Sequence, residues 1–316
     1  MPPTCRLIAP AYPLADEETI RTCLARAADW AARLGWRLQT GHLVTRCAVR
    51  GARLPAADRA ADLRQGDGCM LLWALRGGYG CSELVEELRH WRPRHPPRLL
   101  GYSDCTILHG YWQRRGWPPG IYGPMPAAPA DATALASLRA VCTGAGQRFH
   151  RGNLTGVRAL RAGSADAPLF AACLRVLASS VGTVALPRLA GHILAVEDID
   201  EAPYALHRDL QQLYASGALH GLRGLVFGTM PWRPDAPYAG PDADAVAAEW
   251  AGRLQVPCVA GLPFGHVADP LSLPQEVPTR LTVREDGGWS LELAGLAAST
   301  RGGTAGPDDL PMAAPA

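Results

Sequence analysis

Between residues 71 and 106, two apolar strands each run into a turn of small or polar residues, and a helical segment follows each turn. The first strand leads through LLWALRGGYG into Arg76-Gly77-Gly78-Tyr79-Gly80. The second leads through RLLGYSDCT into Gly101-Tyr102-Ser103-Asp104. Unbroken apolar strands belong to a sheet covered on both faces. Strand–turn–helix units in series restrict the chain to an α/β fold with a mostly parallel sheet. A serine on a sharp strand-to-helix turn presents its hydroxyl at the sheet edge. A neighbouring glycine turn can bring bare backbone N–H groups to that hydroxyl. The pairing points to acyl-transfer chemistry.

The same alternation runs through the first half. Residues 5–9 read as a strand and 16–34 as a helix, with Ile20, Cys23, Leu24, Ala27, Trp30, Ala31 and Leu34 on one face. Asp16 suits its N-cap and Gly35 its C-cap. Strands are expected at 36–39, 69–75 and 99–102, and helices at 54–64, 82–91 and 104–115. The pattern predicts a doubly wound N-terminal domain. Between Pro124 and Gly163 the chain turns rich in Ala, Gly, Pro and Thr. The expected division is an N-terminal α/β domain over 1–140, a linker over 141–165 and a smaller C-terminal β/α domain over 166–298. A tail over 299–316 has too little apolar content to fold. In the second domain the apolar run PLFAACLRVLASSVG reads as a helix. Strands are expected at 192–196, 222–227, 256–260, 279–283 and 289–293, the last two paired, with a helix at 204–216.

Bulk properties narrow the partners. The net charge of +2 creates no field toward nucleic acid or an anionic membrane. All 31 basic residues are Arg, which reads as a coding bias rather than a phosphate site. No apolar run reaches the ~20 residues that span a bilayer. The start, MPPTCRLIAPAYPLADEE, lacks the basic head and apolar run of a secretory signal. The nine cysteines form no CxxC pair and sit mainly in apolar runs, as small buried hydrophobes of a reducing compartment do. A cytoplasmic location, no metal and no organic cofactor are expected.

A serine nucleophile needs a base and a group that orients the base. Of nine histidines, His266 stands out. It ends Gly261-Leu262-Pro263-Phe264-Gly265-His266, an irregular segment directly after a strand, where α/β sites gather. His90 and His95 lie in a polar, Pro-rich loop, and His207 and His220 on or near a charged helix. His109, six residues past Ser103, is expected to face away from the turn. Glu197 and Asp198 end the strand HILAV. Successive strand residues point to opposite faces, so only one of them should enter the cleft. The order Ser103, Glu197, His266 is that of α/β-hydrolases, although the second glycine of G-x-S-x-G is missing. The Arg76–Gly80 turn matches no phosphate-binding motif. Cys81 beside it is a poor candidate nucleophile with Ser103 at hand.

At these residues the chain resembles the LD-carboxypeptidases, the murein tetrapeptide carboxypeptidases. The pieces fall in the family's order: LPAADRAADLR, RGGYG, GYSD, YGPM at Tyr122–Met125, Gly182-Thr183, LAVEDIDEAPY at Leu194–Tyr204, GLVFG, and GLPFGH followed by LSLP. The resemblance implies a serine peptidase with Ser103 as nucleophile, Glu197 as acid and His266 as base, set between two domains. The backbone N–H of Asp104 and one from Gly77, Gly78 or Tyr79 would receive the oxyanion, and Arg76 or Tyr79 would help hold the substrate. The implied substrate is a cytoplasmic muropeptide, cut between the L-centre of meso-diaminopimelate and a terminal D-Ala in peptidoglycan recycling. No metal or cofactor is implied, and a homodimer is left open.

Two alternatives stand beside this reading. One is an amide hydrolase of aminoacyl nucleotides, like the microcin C immunity-type peptidases, for which Trp232 would stack on a base. The other is a catalytically idle binding homologue. The chain also departs from the family pattern. Ala171-Ala172-Cys173-Leu174 stands where relatives read GGNL, so the helix carrying it should start earlier. Asp269 replaces an Asn, Leu273-Pro274-Gln275-Glu276 replaces LPxG, and Ala9-Pro10-Ala11 replaces the N-terminal turn.

Overall fold

The computed structural model describes residues 2–46, 54–129, 131–234 and 237–296; the tail expected over 299–316 lies outside them. The first half alternates as β1 (Thr4–Ile8), α1 (Glu17–Leu34), β2 (Arg37–Thr40), α2 (Ala56–Arg64), β3 (Leu71–Ala74), α3 (Cys81–Glu87) and β4 (Arg98–Leu100). A short 3₁₀ turn, Ser103–Cys105, then leads into α4 (Thr106–Arg114) and β5 (Ile121–Tyr122). The local signals for α1 act as read. The Asp16 carboxylate accepts the Thr19 N–H at 2.7 Å, and Gly35 closes the helix in the left-handed region at φ 72°.

β1 to β5 form a parallel sheet in the order β5-β4-β3-β1-β2. The reversal of strand order between β1 and β3 is the switch point of a doubly wound fold. Trp73 on β3 is fully buried, stacked on Trp30 at 5.7 Å and edge-on to Trp36 at 5.9 Å. Its indole N–H reaches the Pro124 carbonyl at 2.9 Å. Truncating such a residue to alanine costs about 3–5 kcal/mol.

The second half contains α5 (Ala132–Cys142), β6 (Gln147–His150), β7 (Arg158–Arg161), β8 (Gly163–Cys173) and α6 (Leu174–Ser179). It continues with β9 (Ile193–Glu197), α7 (Pro203–Ala215), β10 (Gly224–Gly228), α8 (Ala243–Leu254), β11 (Cys258–Leu262), β12 (Leu273–Pro274), β13 (Pro278–Val283) and β14 (Trp289–Leu293). An eight-stranded sheet runs β6-β14-β13-β8-β9-β10-β11-β7. Its centre, β8 to β11, is parallel, and its flanks are antiparallel.

Three expectations are corrected. The stretch read as a linker carries β6 and β7, two edge strands of this sheet. The run PLFAAC is the end of a strand rather than a helix, and the helix begins only at Leu174. It does not start early, because Ala171 and Cys173 are register partners of Ala195 and Glu197 on β9. The two halves also interlock: β12, from late in the chain, pairs antiparallel with β5 and adds a sixth strand to the first sheet.

Candidate active site

Both sheets direct the C-terminal ends of their parallel strands toward one place. Ser103 follows β4 and adopts φ 62°, a left-handed conformation that costs a non-glycine residue roughly 1–3 kcal/mol. The glycine turn after β3 lies against it. A Cβ on Gly77 would stand 2.9 Å from Ser103 Cβ, 3.1 Å from its Oγ and 3.4 Å from the Asp104 nitrogen. Only a bare α-carbon fits there.

Two buried charges fasten the turns. The Asp104 carboxylate accepts the Cys81 N–H at 2.8 Å, tying the nucleophile turn to the first residue of α3. Burial pushes this carboxyl upward, against the Cys81 N–H and the Arg59 charge. Arg59 of α2, only 3% exposed, donates to the carbonyls of Pro10 and Gly80 and pairs with Glu83. Gly80, at φ +130°, leaves the space that this guanidinium occupies.

His109 does not turn away, contrary to expectation. Its Nε2 bonds the Gly101 carbonyl at 2.9 Å, and burial pulls its pKa down to about 4, so it is a neutral donor that holds the turn. Cys81 is fully buried, and burial pushes its thiol well up, which leaves no thiolate for nucleophilic chemistry.

Glu197 and His266 meet on the second sheet. The Glu197 carboxylate is completely buried at the end of β9. Its Oε2 accepts from the His266 ring at Nδ1 (2.9 Å) and from the His266 backbone N–H (3.2 Å). Two glycines make room for it. A Cβ on Gly265, at φ +76°, would stand 2.1 Å from Glu197 Cδ, and one on Gly228 would stand 2.7 Å from Glu197 Cβ. Burial alone would depress His266, but the Glu197 hydrogen bond and charge, with Asp198 and Asp200, hold its pKa above 6.5.

At the next residue, Asp198 bonds elsewhere: it accepts the Arg175 backbone N–H at 2.7 Å and the Ile199 N–H at 2.9 Å, and burial pushes its pKa up to about 6. The ring of Tyr102, the residue before Ser103, lies edge-on to the His266 imidazole at 4.9 Å.

Tyr122 is the group that sequence reasoning missed, although YGPM was among the matching motifs. It is fully buried; its hydroxyl accepts the Ser103 N–H at 3.1 Å and donates to Glu197 Oε1 at 2.6 Å. Arg76 stands over the glycine turn, its guanidinium 3.6 Å from a Cβ placed on Gly78, and Tyr79 is 50% exposed at the rim.

The departures have local partners. Gln275 is nearly fully buried, and its amide donates to and accepts from the Ala171 backbone, both at 2.8 Å, as a strand would. Asp269 accepts the Ala134 N–H at 2.7 Å at the start of α5. Cys173 sets its thiol 3.6 Å from Asp198. Trp232 follows β10 and packs edge-on to Tyr238 at 5.0 Å. The two line a cavity of about 430 Å³ with Glu201, Met230, Asp242 and Asp244. Among the described residues no group of three metal-ligating side chains occurs, and no helix is long and apolar enough to cross a membrane.

A buried carboxylate–imidazole pair beside a strained serine is the arrangement of a serine hydrolase. Residues 5–123 match the N-terminal domain of the LD-carboxypeptidases and residues 166–281 their C-terminal domain. The chain belongs to this family and is a serine-type carboxypeptidase. It is 30% identical to the murein tetrapeptide carboxypeptidase of Pseudomonas aeruginosa, over 83% of this chain and 87% of that one. In fold it is similar to the muramoyltetrapeptide carboxypeptidase of Oxalobacter formigenes (TM-score 0.75, 24% identity, covering 92% and 99% of the two chains). It also shares the fold of the microcin C7 self-immunity protein solved with aspartyl sulfamoyl adenosine (TM-score 0.74, 16% identity, covering 92% and 96%).

Proposed function

We propose that this enzyme removes the terminal D-Ala from murein tetrapeptides in the cytoplasm, cutting an L,D-peptide bond during peptidoglycan recycling. The carrying observation is the Glu197–His266 pair, completely buried at its acid end and set beside the Ser103 turn. Ser103 Oγ attacks the scissile carbonyl. His266 takes the proton and passes it to the leaving amine, while Glu197 holds the ring by Nδ1 and stabilises the imidazolium. The Asp104 N–H and one N–H of Gly77, Gly78 or Tyr79 receive the oxyanion, each worth about 3 kcal/mol. Arg76 and Tyr79, at the rim, are placed to meet the substrate's polar groups.

The microcin-type reading has one feature in its favour, the aromatic wall of Trp232 and Tyr238. The carboxylates of Glu201, Asp242 and Asp244 line the same cavity and repel a phosphate, so the peptide reading ranks first. The test is a panel of murein tri-, tetra- and pentapeptides beside aminoacyl sulfamoyl adenosines. D-Ala release from the tetrapeptide is expected, unaffected by EDTA and lost in Ser103→Ala. Cleavage of the nucleotide substrates alone would reverse the ranking.

A further inference from the structure

The Tyr122 hydroxyl is hydrogen-bonded to both halves of the site, to the Ser103 N–H and to Glu197. It ends β5, and its register partner is Leu273 of β12, the strand that the second half lends to the first sheet. Its ring is enclosed by Tyr102 (6.1 Å), His109 (6.0 Å) and Phe264 (5.9 Å), the last from the loop that carries His266. A hydroxyl has one proton to give. The 2.6 Å contact with a carboxylate that can only accept spends it on Glu197, so the oxygen is left as acceptor for the Ser103 N–H. That N–H belongs to a residue in a strained conformation, and the carboxylate is the one that orients the base.

Resting on the serine-hydrolase reading above, we infer that Tyr122 is a positioning residue. Its hydroxyl fixes the backbone of Ser103 and, through the same atom, divides the Glu197 charge between itself and His266. The charge-assisted bond to Oε1 draws electron density from Oε2, where His266 sits. Removing it leaves the full carboxylate charge to the imidazolium and orphans the Ser103 N–H. The groups facing His266 are Glu197, Asp198, Asp200 and Tyr102; those facing Tyr122 are Glu197, Cys173, His109 and Tyr102. Among these, Glu197 alone is hydrogen-bonded to both Tyr122 and His266.

The decisive variant is Tyr122→Phe, which keeps the ring. It is expected to lower kcat about 10- to 100-fold, with KM little changed, since a hydrogen bond to a charged group is being lost. It should also raise the acid limb of the kcat/KM–pH profile, because His266 then faces the whole Glu197 charge, no longer shared with a hydroxyl. In a Glu197→Gln background the same substitution should leave that limb in place. Should Tyr122→Phe fail to fold, 3-fluorotyrosine placed at position 122 serves instead. Its more acidic hydroxyl is a stronger donor and should move the limb down. An unmoved limb in Tyr122→Phe, or a downward one, overturns the inference, as does an unmoved limb with fluorotyrosine. A wild-type enzyme whose Ser103 takes no fluorophosphonate label would instead overturn the serine-hydrolase reading itself, so the two failures are told apart.

Discussion

The nucleophile side and the acid–base side of the site are held by different physics. On the first sheet the shape comes from the backbone. Ser103 sits at φ 62°, Gly77 lies against it without a side chain, and Asp104, Arg59 and His109 bond peptide groups around it. On the second sheet the shape comes from one buried charge. Glu197 has no exposure, its oxygens are taken by Tyr122 and His266, and two glycines clear its path. A backbone-built half tolerates changes of charge better than changes of shape. A charge-built half is sensitive to both, because an unpaired buried carboxylate is costly.

The sharpest way to break this contrast is a methyl group on each side. Gly265→Ala drives a Cβ into Glu197 Cδ at a residue already at φ +76°. Loss of turnover is expected together with roughly 2–4 kcal/mol of stability, read by denaturant melts. Gly77→Ala meets Ser103 Cβ at 2.9 Å, outside the left-handed region. It should cost about 100-fold in kcat by displacing the nucleophile, but much less stability than its counterpart. Equal stability losses would erase the distinction.

The next effect is a pH dependence. His266 must be neutral to accept the serine proton, and its pKa is held above 6.5, chiefly by Glu197 against the opposing effect of burial. The kcat/KM profile should therefore rise with pH through a midpoint above 6.5. Glu197→Gln should lower that midpoint and cut kcat, in a protein that still folds. A midpoint at or below the ordinary histidine value in the wild type contradicts the pairing.

The smallest expected effect lies away from the chemistry. Glu276, at φ 58°, bonds His192 at 3.1 Å and Gln113 of α4 at 3.0 Å, which joins the halves behind the site. Burial lowers the His192 pKa, but the Glu276 bond and charge outweigh it, so the net shift is upward. A raised folded-state pKa means the pair's contribution is full at acid pH and is lost as pH rises through that value. Glu276→Gln should thus cost under about 1 kcal/mol near pH 6 and almost nothing at pH 9.

Legibility in the sequence follows how local each cause is. The caps of α1 lie within a few residues of the helix; the turns carrying Ser103 and His266 are marked by their own glycines, and Glu197 by the end of an apolar strand. The run through Ala171 and Cys173 was misread because an uninterrupted apolar stretch looks the same in a buried strand and a buried helix. The pairing with β9 beside it decides the matter. β6 and β7 were hidden in a stretch of glycines and charges, being short edge strands with little to bury. Tyr122 was silent for a different reason. A two-residue strand has no period to read, and the residue's partners come from 103, 197 and 273.

The central claim is that Ser103 and His266, from opposite halves of the chain, act as one nucleophile. Intact-mass and peptide mapping after fluorophosphonate treatment tests it directly. A single adduct on Ser103 is predicted, forming faster as pH rises through the His266 midpoint and nearly absent in His266→Ala. An adduct on another residue, or undiminished labelling of Ser103 in His266→Ala, would contradict it.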